Sequence, residues 1–356
     1  MRLKVSVNPQ ASPLYKCADR HMAELRSEGR LQRLLEERVI DRFLKCGDPH
    51  HGFARIYCPG CWHDFLLASS CKARYFCPSC HQKRVLAYGD WVEENVLAPV
   101  PHRQYVFTVP RMLRPIFSRR RGLLGELCHI VERLLIQAYT GAGVEGRPGL
   151  MLFVQTFGDL VTFNPHIHVL AADGVFRADG VFVALPAVPV KLLEQGFRSE
   201  VLKLLVAERA IGERLSASML AWRHSGFSGH NGVRVRAGDA EGRKKLAQYM
   251  LRAPFSLEKM TYLPETGMVM YRSHMHKGLK RNIPVDARRA MARTALPPYS
   301  GPVRTFGAVR RMVFHPLPGP AGTRRRVGSG GASTRGRPGG RGARQVGVGA
   351  AHSQSL

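Results

Sequence analysis

The chain has 356 residues, 44% of them hydrophobic, enough for two or three domains with cores of their own. Its formal net charge is +28, from 54 Lys and Arg against 26 Asp and Glu, which favours a polyanionic partner, most commonly nucleic acid. No stretch approaches the ~18 apolar residues of a membrane-spanning helix, and MRLKVSVNPQ lacks the apolar centre of a signal peptide, which argues against a membrane partner and for the cytoplasm, with nucleoid association through DNA. In that reducing compartment clustered cysteines bind metal more often than they form disulfides.

In chain order, residues 20–45 carry Leu25, Leu34, Ile40 and Phe43 at helical spacing and predict an amphipathic helix or a helix pair broken near Gly29. A cysteine-rich block follows at 46–84. The segment 81–98 predicts a helix ended by Pro99 and Pro101, and RQYVFTVP at 103–110 a strand stopped by proline. Residues 121–140 form an apolar-striped helix. Two strands follow at 149–159 and from Phe163, the second ended by Asp173-Gly174; residues 198–222 are helical. GVRVRAGD predicts a strand, with Asp239 placed to cap the helix 240–251, and 261–272 a hairpin turning at Pro264–Gly267. Hairpins mixed with helices, without regular βαβ spacing, indicate an α+β fold with a mostly antiparallel sheet.

Cys58-Pro-Gly-Cys61 and Cys77-Pro-Ser-Cys80 are two C-x-x-C pairs with 15 residues between them. Each makes a knuckle that aims two thiolates at one ion, and two knuckles complete a tetrahedral, structural Zn²⁺ site with no open position. Cys46 and Cys71, with His50, His51, His63 and His81 as co-ligands, supply a possible second zinc. Lys72, Arg74, Lys83 and Arg84 give the block a basic, DNA-contacting rim. Cys128, in the apolar helix, reads as a core residue.

His166-Ile167-His168 lies within FNPHIHVL. On a strand both imidazoles share a face while Ile167 points the other way, an arrangement able to hold a divalent cation with Gln155 or Asp159 as a third ligand. Chance histidine pairs are common, so this motif alone is weak. Tyr249 stands in a helix with Arg243, Lys244, Lys245 and Arg252. Those cations suit an attacking phenolate and a phosphate-rich partner, whereas core packing beside Leu246 and Met250 is the plainer alternative.

Residues 283–356 contain 13 arginines, one acid (Asp286) and no lysine, a net of +12. The segment predicts a disordered basic tail, read either as a nucleic-acid-gripping arm or as sequence out of frame.

Taken together, FLKCGDPHHGFARIYCPGCWHDFLLASSCKARYFCPSCHQKR, QYVFTVPRMLR, QTFGDLVTFNPHIHVLAADGVF and KLAQYMLRAPFSLEKMTYLPETGMVMYRSH resemble, in motif and order, the rolling-circle transposases of the insertion-sequence 91 family. The resemblance covers about residues 15–282. It implies an N-terminal zinc-binding domain (1–95) that reads element ends and a catalytic domain of histidine–hydrophobic–histidine type (96–282), with helices flanking an antiparallel sheet. It further implies that His166 and His168 bind Mg²⁺ or Mn²⁺ and that Tyr249 attacks single-stranded DNA to form a 5′-phosphotyrosine. The rival expectation is a catalytically inactive, zinc-dependent DNA-binding remnant, which needs the cysteines but not His166, His168 or Tyr249. Founding members carry a second tyrosine four residues after the first; here that position is Ala253, as in a single-tyrosine branch. The Tyr-Gly-Trp-Tyr-Ser-like segment that follows in relatives is missing after 282, which points to a frameshift or truncation near 283. Tyr262 and Tyr271 are the reserve nucleophiles.

Overall fold

The computed structural model describes residues 9–286 apart from 30, 32–33, 74, 159–161, 255 and 275–279, so Arg74, Asp159 and nearly all of the predicted tail lie outside the described residues. Those described belong to one compact unit. Helices α1 (Pro13–Ser27) and α2 (Leu34–Leu44) are the expected pair, with Gly29 in the left-handed region between them. The Ser12 hydroxyl accepts the Tyr15 N–H and Pro13 takes the first turn, where its missing donor costs nothing. A hairpin, β1 (Phe53–Tyr57) and β2 (Asp64–Ala68), precedes α3 (Pro78–Asn95).

Next come β3 (His102–Thr108), α4 (Arg114–Arg119), α5 (Leu123–Thr140), β4 (Arg147–Phe157), β5 (Phe163–Phe176), β6 (Phe182–Ala184), α6 (Val190–Ala207), α7 (Glu213–Ala221), β7 (Ser228–Val235) and α8 (Ala240–Met250). The antiparallel sheet runs β4-β5-β3-β7, with β6 added along the far end of β5. Strand β5 passes through Asp173-Gly174 instead of stopping there. The Asp173 carboxylate is buried and accepts from Arg103 (2.9 and 3.0 Å) and Arg234 (2.6 Å), so the would-be turn residue ties β5 to its neighbour β3 and to β7 beyond it. The helix read at 198–222 is two, α6 and α7, parted at Arg209, whose φ is +52°.

Period-two alternation sorts the sheet into two faces. Tyr105, Phe107, Ile167, Val169 and Ala171 pack against α5 and α6 in the larger core, while Met151, Phe153, Leu170 and Val235 pack against α3 and α8. Both faces of β5 are therefore covered, which explains its near-continuous apolar run. Cys128 packs against the first core, and burial pushes its thiol up to about 12.

A third core joins α1, α2, Phe76 and Cys77 to Met260, Val269 and Tyr271 from a second sheet, β8 (Met260–Leu263), β9 (Met268–His274) and β10 (Lys280–Asp286). The N-terminal helices thus share their core with a segment some 230 residues further along. The backbone of residues 283–286, expected in the tail, pairs with Met268–Tyr271. No described helix is long and apolar enough to cross a membrane.

Candidate functional site

The cysteines meet in a different combination from the one their spacing suggests. Cys46, Cys71, Cys77 and Cys80 place their sulfurs within 4.8 Å of one another, whereas Cys58 and Cys61 stay outside that cluster, exposed at the tip of the β1–β2 hairpin. Sulfur–sulfur distances of 3.5 Å (Cys71–Cys80), 3.6 Å (Cys46–Cys80) and 3.7 Å (Cys46–Cys77) match the ~3.7 Å edge of a tetrahedron with 2.3 Å Zn–S bonds. Hydrogen bonds from Cys71 and Cys77 lower the Cys46 thiol to about 7, and those from Cys46 and Cys71 lower Cys80. Hydrogen bonding with Cys46 first, then with Cys80, and burial after that, raise Cys71 and Cys77. Four sulfurs this close cannot all be thiolates unless a cation joins them, so the donor set fits Zn²⁺.

The histidines named as co-ligands are occupied elsewhere. His50 and His51 bind Asp48, each at 2.9 Å, and His63 sits at the hairpin tip, outside the cysteine tetrad. His81 is buried, accepts the Tyr75 N–H and donates Nε2–H to the Leu251 carbonyl at 2.8 Å.

His166 and His168 are buried on the α8 side of the sheet, their rings 4.8 Å apart. The His166 Nδ1–H donates to the Asn164 carbonyl at 2.7 Å, which leaves the Nε2 lone pair free. The Gln104 amide nitrogen donates to His168 Nδ1 at 3.0 Å, and the buried His168 Nε2 has no hydrogen-bond partner among the described residues. In this arrangement Nδ1 accepts and the neutral ring carries its proton on Nε2; turning the Gln104 amide over would move the proton to Nδ1 and free Nε2 as a ligand atom. Burial lowers His166 to about 4 and His168 to about 3, assisted by Arg252 at both, by Arg114 at His166 and by His166 at His168. Both imidazoles are neutral at pH 7, as ligation of Mg²⁺ or Mn²⁺ requires.

Tyr249 faces this pair, its ring 5.6 Å from that of His168 and roughly perpendicular to it. It is 42% exposed, too open for the core-packing alternative. The Arg252 guanidinium donates to its hydroxyl at 3.0 Å and stands 4.9 Å from its ring. Helix α8 is capped by Asp239, whose carboxylate accepts the Gly242 N–H at 2.7 Å. At its other end, carbonyls that lack helical partners receive buried donors: Gln155 Nε2 reaches Met250 O at 3.0 Å and His81 reaches Leu251 O. The residue carrying the hydroxyl is thus held from β4 and α3 at once.

Gln155 is paired opposite His166, beside a register shift in β4, but its amide oxygen accepts Arg252 Nε at 3.2 Å, so both ends are engaged away from the metal position. Tyr262 is hydrogen-bonded to His21 at 2.9 Å, while Tyr271 packs in the N-terminal core, its hydroxyl accepting the Ser256 N–H at 3.3 Å at the lining of the Tyr249 cleft.

The basic residues divide. Arg243 is buried against Glu93 (2.8 Å) and the Ala237 carbonyl, and Lys244 pairs with Asp90; both fasten α8 to its surroundings and α3 rather than facing a ligand. Lys245, Tyr249, Arg252 and Ala253 line an open cleft of about 890 Å³. Lys72 and Lys83 are exposed, and Arg84 lies over the Tyr75 ring. Sequence reasoning missed Arg111, Arg114 and Arg119, which line a second basic hollow with Thr162 and Phe163, beside the start of the histidine strand; Arg114 Nε is buried without a partner there. The run PRMLRPIFSRRR directly after β3 was the available signal.

Two family models match this chain: a transposase zinc-binding domain over residues 17–109 and a putative transposase over residues 149–313. The second match continues past residue 283, where composition suggested that the frame is lost. The chain is 32% identical over 169 residues to the transposase for insertion sequence element IS801 of Pseudomonas savastanoi pv. phaseolicola, covering 46% of this chain and 40% of that protein. It is 28% identical over 172 residues to the putative transposase y4qJ of Sinorhizobium fredii (strain NBRC 101917 / NGR234), covering 46% and 42%. The matched stretch therefore spans about two fifths of the length of these curated relatives. No solved structure matches. With a zinc-binding model at one end and a transposase model at the other, the chain belongs to the insertion-sequence 91 family of transposases.

Proposed function

We propose that the chain nicks and rejoins single-stranded DNA at the ends of a mobile element, through a phosphotyrosine at Tyr249, as in rolling-circle transposition. The observation that carries this reading is the meeting of Tyr249, Arg252 and the histidine pair from distant parts of the sequence, with the His168 Nε2 buried and without a hydrogen-bond partner among the described residues. A structural tyrosine needs neither an arginine on its hydroxyl nor two neutral imidazoles opposite its ring.

In the reaction the Tyr249 oxygen forms a bond to phosphorus as the bond to the 3′ oxygen breaks. The phenolic proton is lost and the 3′ oxygen gains one, leaving a 5′-phosphotyrosine and a free 3′-OH. Attack by another 3′-OH reverses these bonds, so joining needs no nucleotide cofactor. Arg252 stabilises the attacking oxygen through its N–H, and Lys245 offers positive charge to the strand in the same cleft. Arg114, close enough to His166 to disfavour its protonation, suits the same phosphodiester. His166 and His168 would hold Mg²⁺ or Mn²⁺, which supplies Lewis-acid polarisation of the phosphate. The cysteine tetrad would hold a structural zinc that fixes the N-terminal helices for docking on the element's ends.

The test is labelled single-stranded DNA from those ends, incubated with the protein and Mn²⁺ and run on a denaturing gel. A protein–DNA adduct lost in His166→Ala, with zinc content unchanged, supports the reading. DNA binding without any adduct favours the inactive remnant instead.

A further inference from the structure

The hairpin tip carries a cysteine pair that the tetrad leaves unexplained. Cys58 and Cys61 are both exposed at the turn, which is closed by Cys58 N–H to His63 O and Trp62 N–H to Cys58 O, each 2.9 Å. The Cys61 thiol, followed by the backbone N–H groups of Cys61 and Gly60, holds the Cys58 thiol below its usual value. Among the described residues no histidine, cysteine or carboxylate joins this pair in a ligand cluster. Two thiolates satisfy two of zinc's four tetrahedral positions, and two remain.

We infer that Cys58 and Cys61 bind zinc together with the same two cysteines of a second copy of this chain, so that two hairpins clasp one ion.

The hairpin itself selects that occupant. Its register puts Ala54, Ile56, Phe65 and Leu67 on one face, all exposed and all apolar. At the tip Trp62 has a φ of +58°, unusual for a bulky residue, and turns an indole 80% exposed into solvent. A lone two-stranded hairpin has little stability of its own, and a contiguous apolar patch of this kind marks an interface. Residues 53–68 contain one arginine and one acid, Arg55 and Asp64, which pair on the other face; in a chain of net charge +28 this segment is neutral. Nucleic acid finds no net charge to grip there, while a second copy meets no repulsion. A two-fold axis through the ion brings identical apolar faces together, as a closed isologous contact requires. The clasp would also put two Tyr249 side chains in one assembly, although it does not depend on the transposase reading.

The test is mass and zinc content of the full chain, by light scattering on a sizing column and by elemental analysis. The expected result is a dimer with about 1.5 zinc ions per chain, one in each tetrad and one shared. The Cys58→Ser/Cys61→Ser variant should be monomeric with about one zinc per chain and unchanged circular dichroism. Phe65→Glu, which leaves every thiol in place, should weaken the dimer by about tenfold or more. Two zinc ions on a monomer would overturn the inference, because the site would then be completed within the chain. A dimer indifferent to the cysteine variant would overturn it as well, and so would a loss of DNA affinity with no change in mass.

Discussion

Gln155 offers a sharp perturbation, because its two possible roles predict opposite outcomes for one substitution. As a brace, its amide gives a hydrogen to the Met250 carbonyl and receives one from Arg252, holding the last turn of α8 against β4. In Gln155→Glu the carboxylate still accepts from Arg252, but its second oxygen faces the Met250 carbonyl, acceptor against acceptor, in a place only 3% exposed. An unpaired buried carbonyl costs about 1–3 kcal/mol, and burying the carboxylate adds to that, while the stronger Arg252 bond returns about 1 kcal/mol. A net loss of about 2 kcal/mol, or roughly thirtyfold in the folded-to-unfolded ratio, is expected. Urea unfolding at pH 7.5 reads the stability, and the rate of covalent adduct formation reads the displacement of Tyr249, which should slow it at least as much as Gln155→Leu does. If Gln155 instead ligates the divalent ion, the carboxylate is the better ligand. Mn²⁺ affinity and adduct rate would then rise with stability intact, refuting the brace.

Three further outcomes follow from the same geometry. Cys71→Ser should release the tetrad's zinc and melt the shared core of α1, α2 and β8–β9, measured by elemental analysis and by loss of cooperative unfolding. His102 is buried on β3 and pushed down to about 4 by burial, so it stays neutral in the native state while the unfolded chain takes up a proton below about 6.5. Its contribution is complete above pH 6.5 and lost as pH falls toward 4; between pH 6.5 and 4.5 the native protein should lose about 2 kcal/mol more than His102→Gln does in urea titrations. Lys245→Ala should weaken single-strand binding and reduce its salt slope by about one, whereas Arg243→Met should leave that slope unchanged and cost about 3 kcal/mol of stability, since Arg243 is buried against Glu93.

Local patterns were legible. The H-x-H strand, the Asp239 cap, the hairpin turn at Pro264–Gly267 and the α+β class all follow from periodicity and turn chemistry, which act between neighbours in sequence. Cysteine pairing failed because knuckle spacing says which thiols can share an ion but not which knuckle the fold brings near. Cys46 reaches Cys80 across the base of the hairpin, where Gly47 N–H binds Ser69 O, and leaves the C-x-x-C at the hairpin tip outside. Two basic residues of α8, Arg243 and Lys244, are turned to acidic partners for a related reason. Arg243 and Lys244 look like a phosphate patch until Glu93 and Asp90 of α3, some 150 residues earlier, are seen opposite them. The family matches bear out the resemblance, while the roles of individual residues rest on geometry that only the tertiary structure supplies.

The most direct measurement is Tyr249→Phe, which removes one oxygen and leaves the ring against His168. If Tyr249 is the nucleophile, the denaturation-resistant protein–DNA adduct formed with Mn²⁺ should vanish while DNA affinity stays within about twofold of the parent. Adducts that persist in the variant would contradict the assignment and move the nucleophile to another residue.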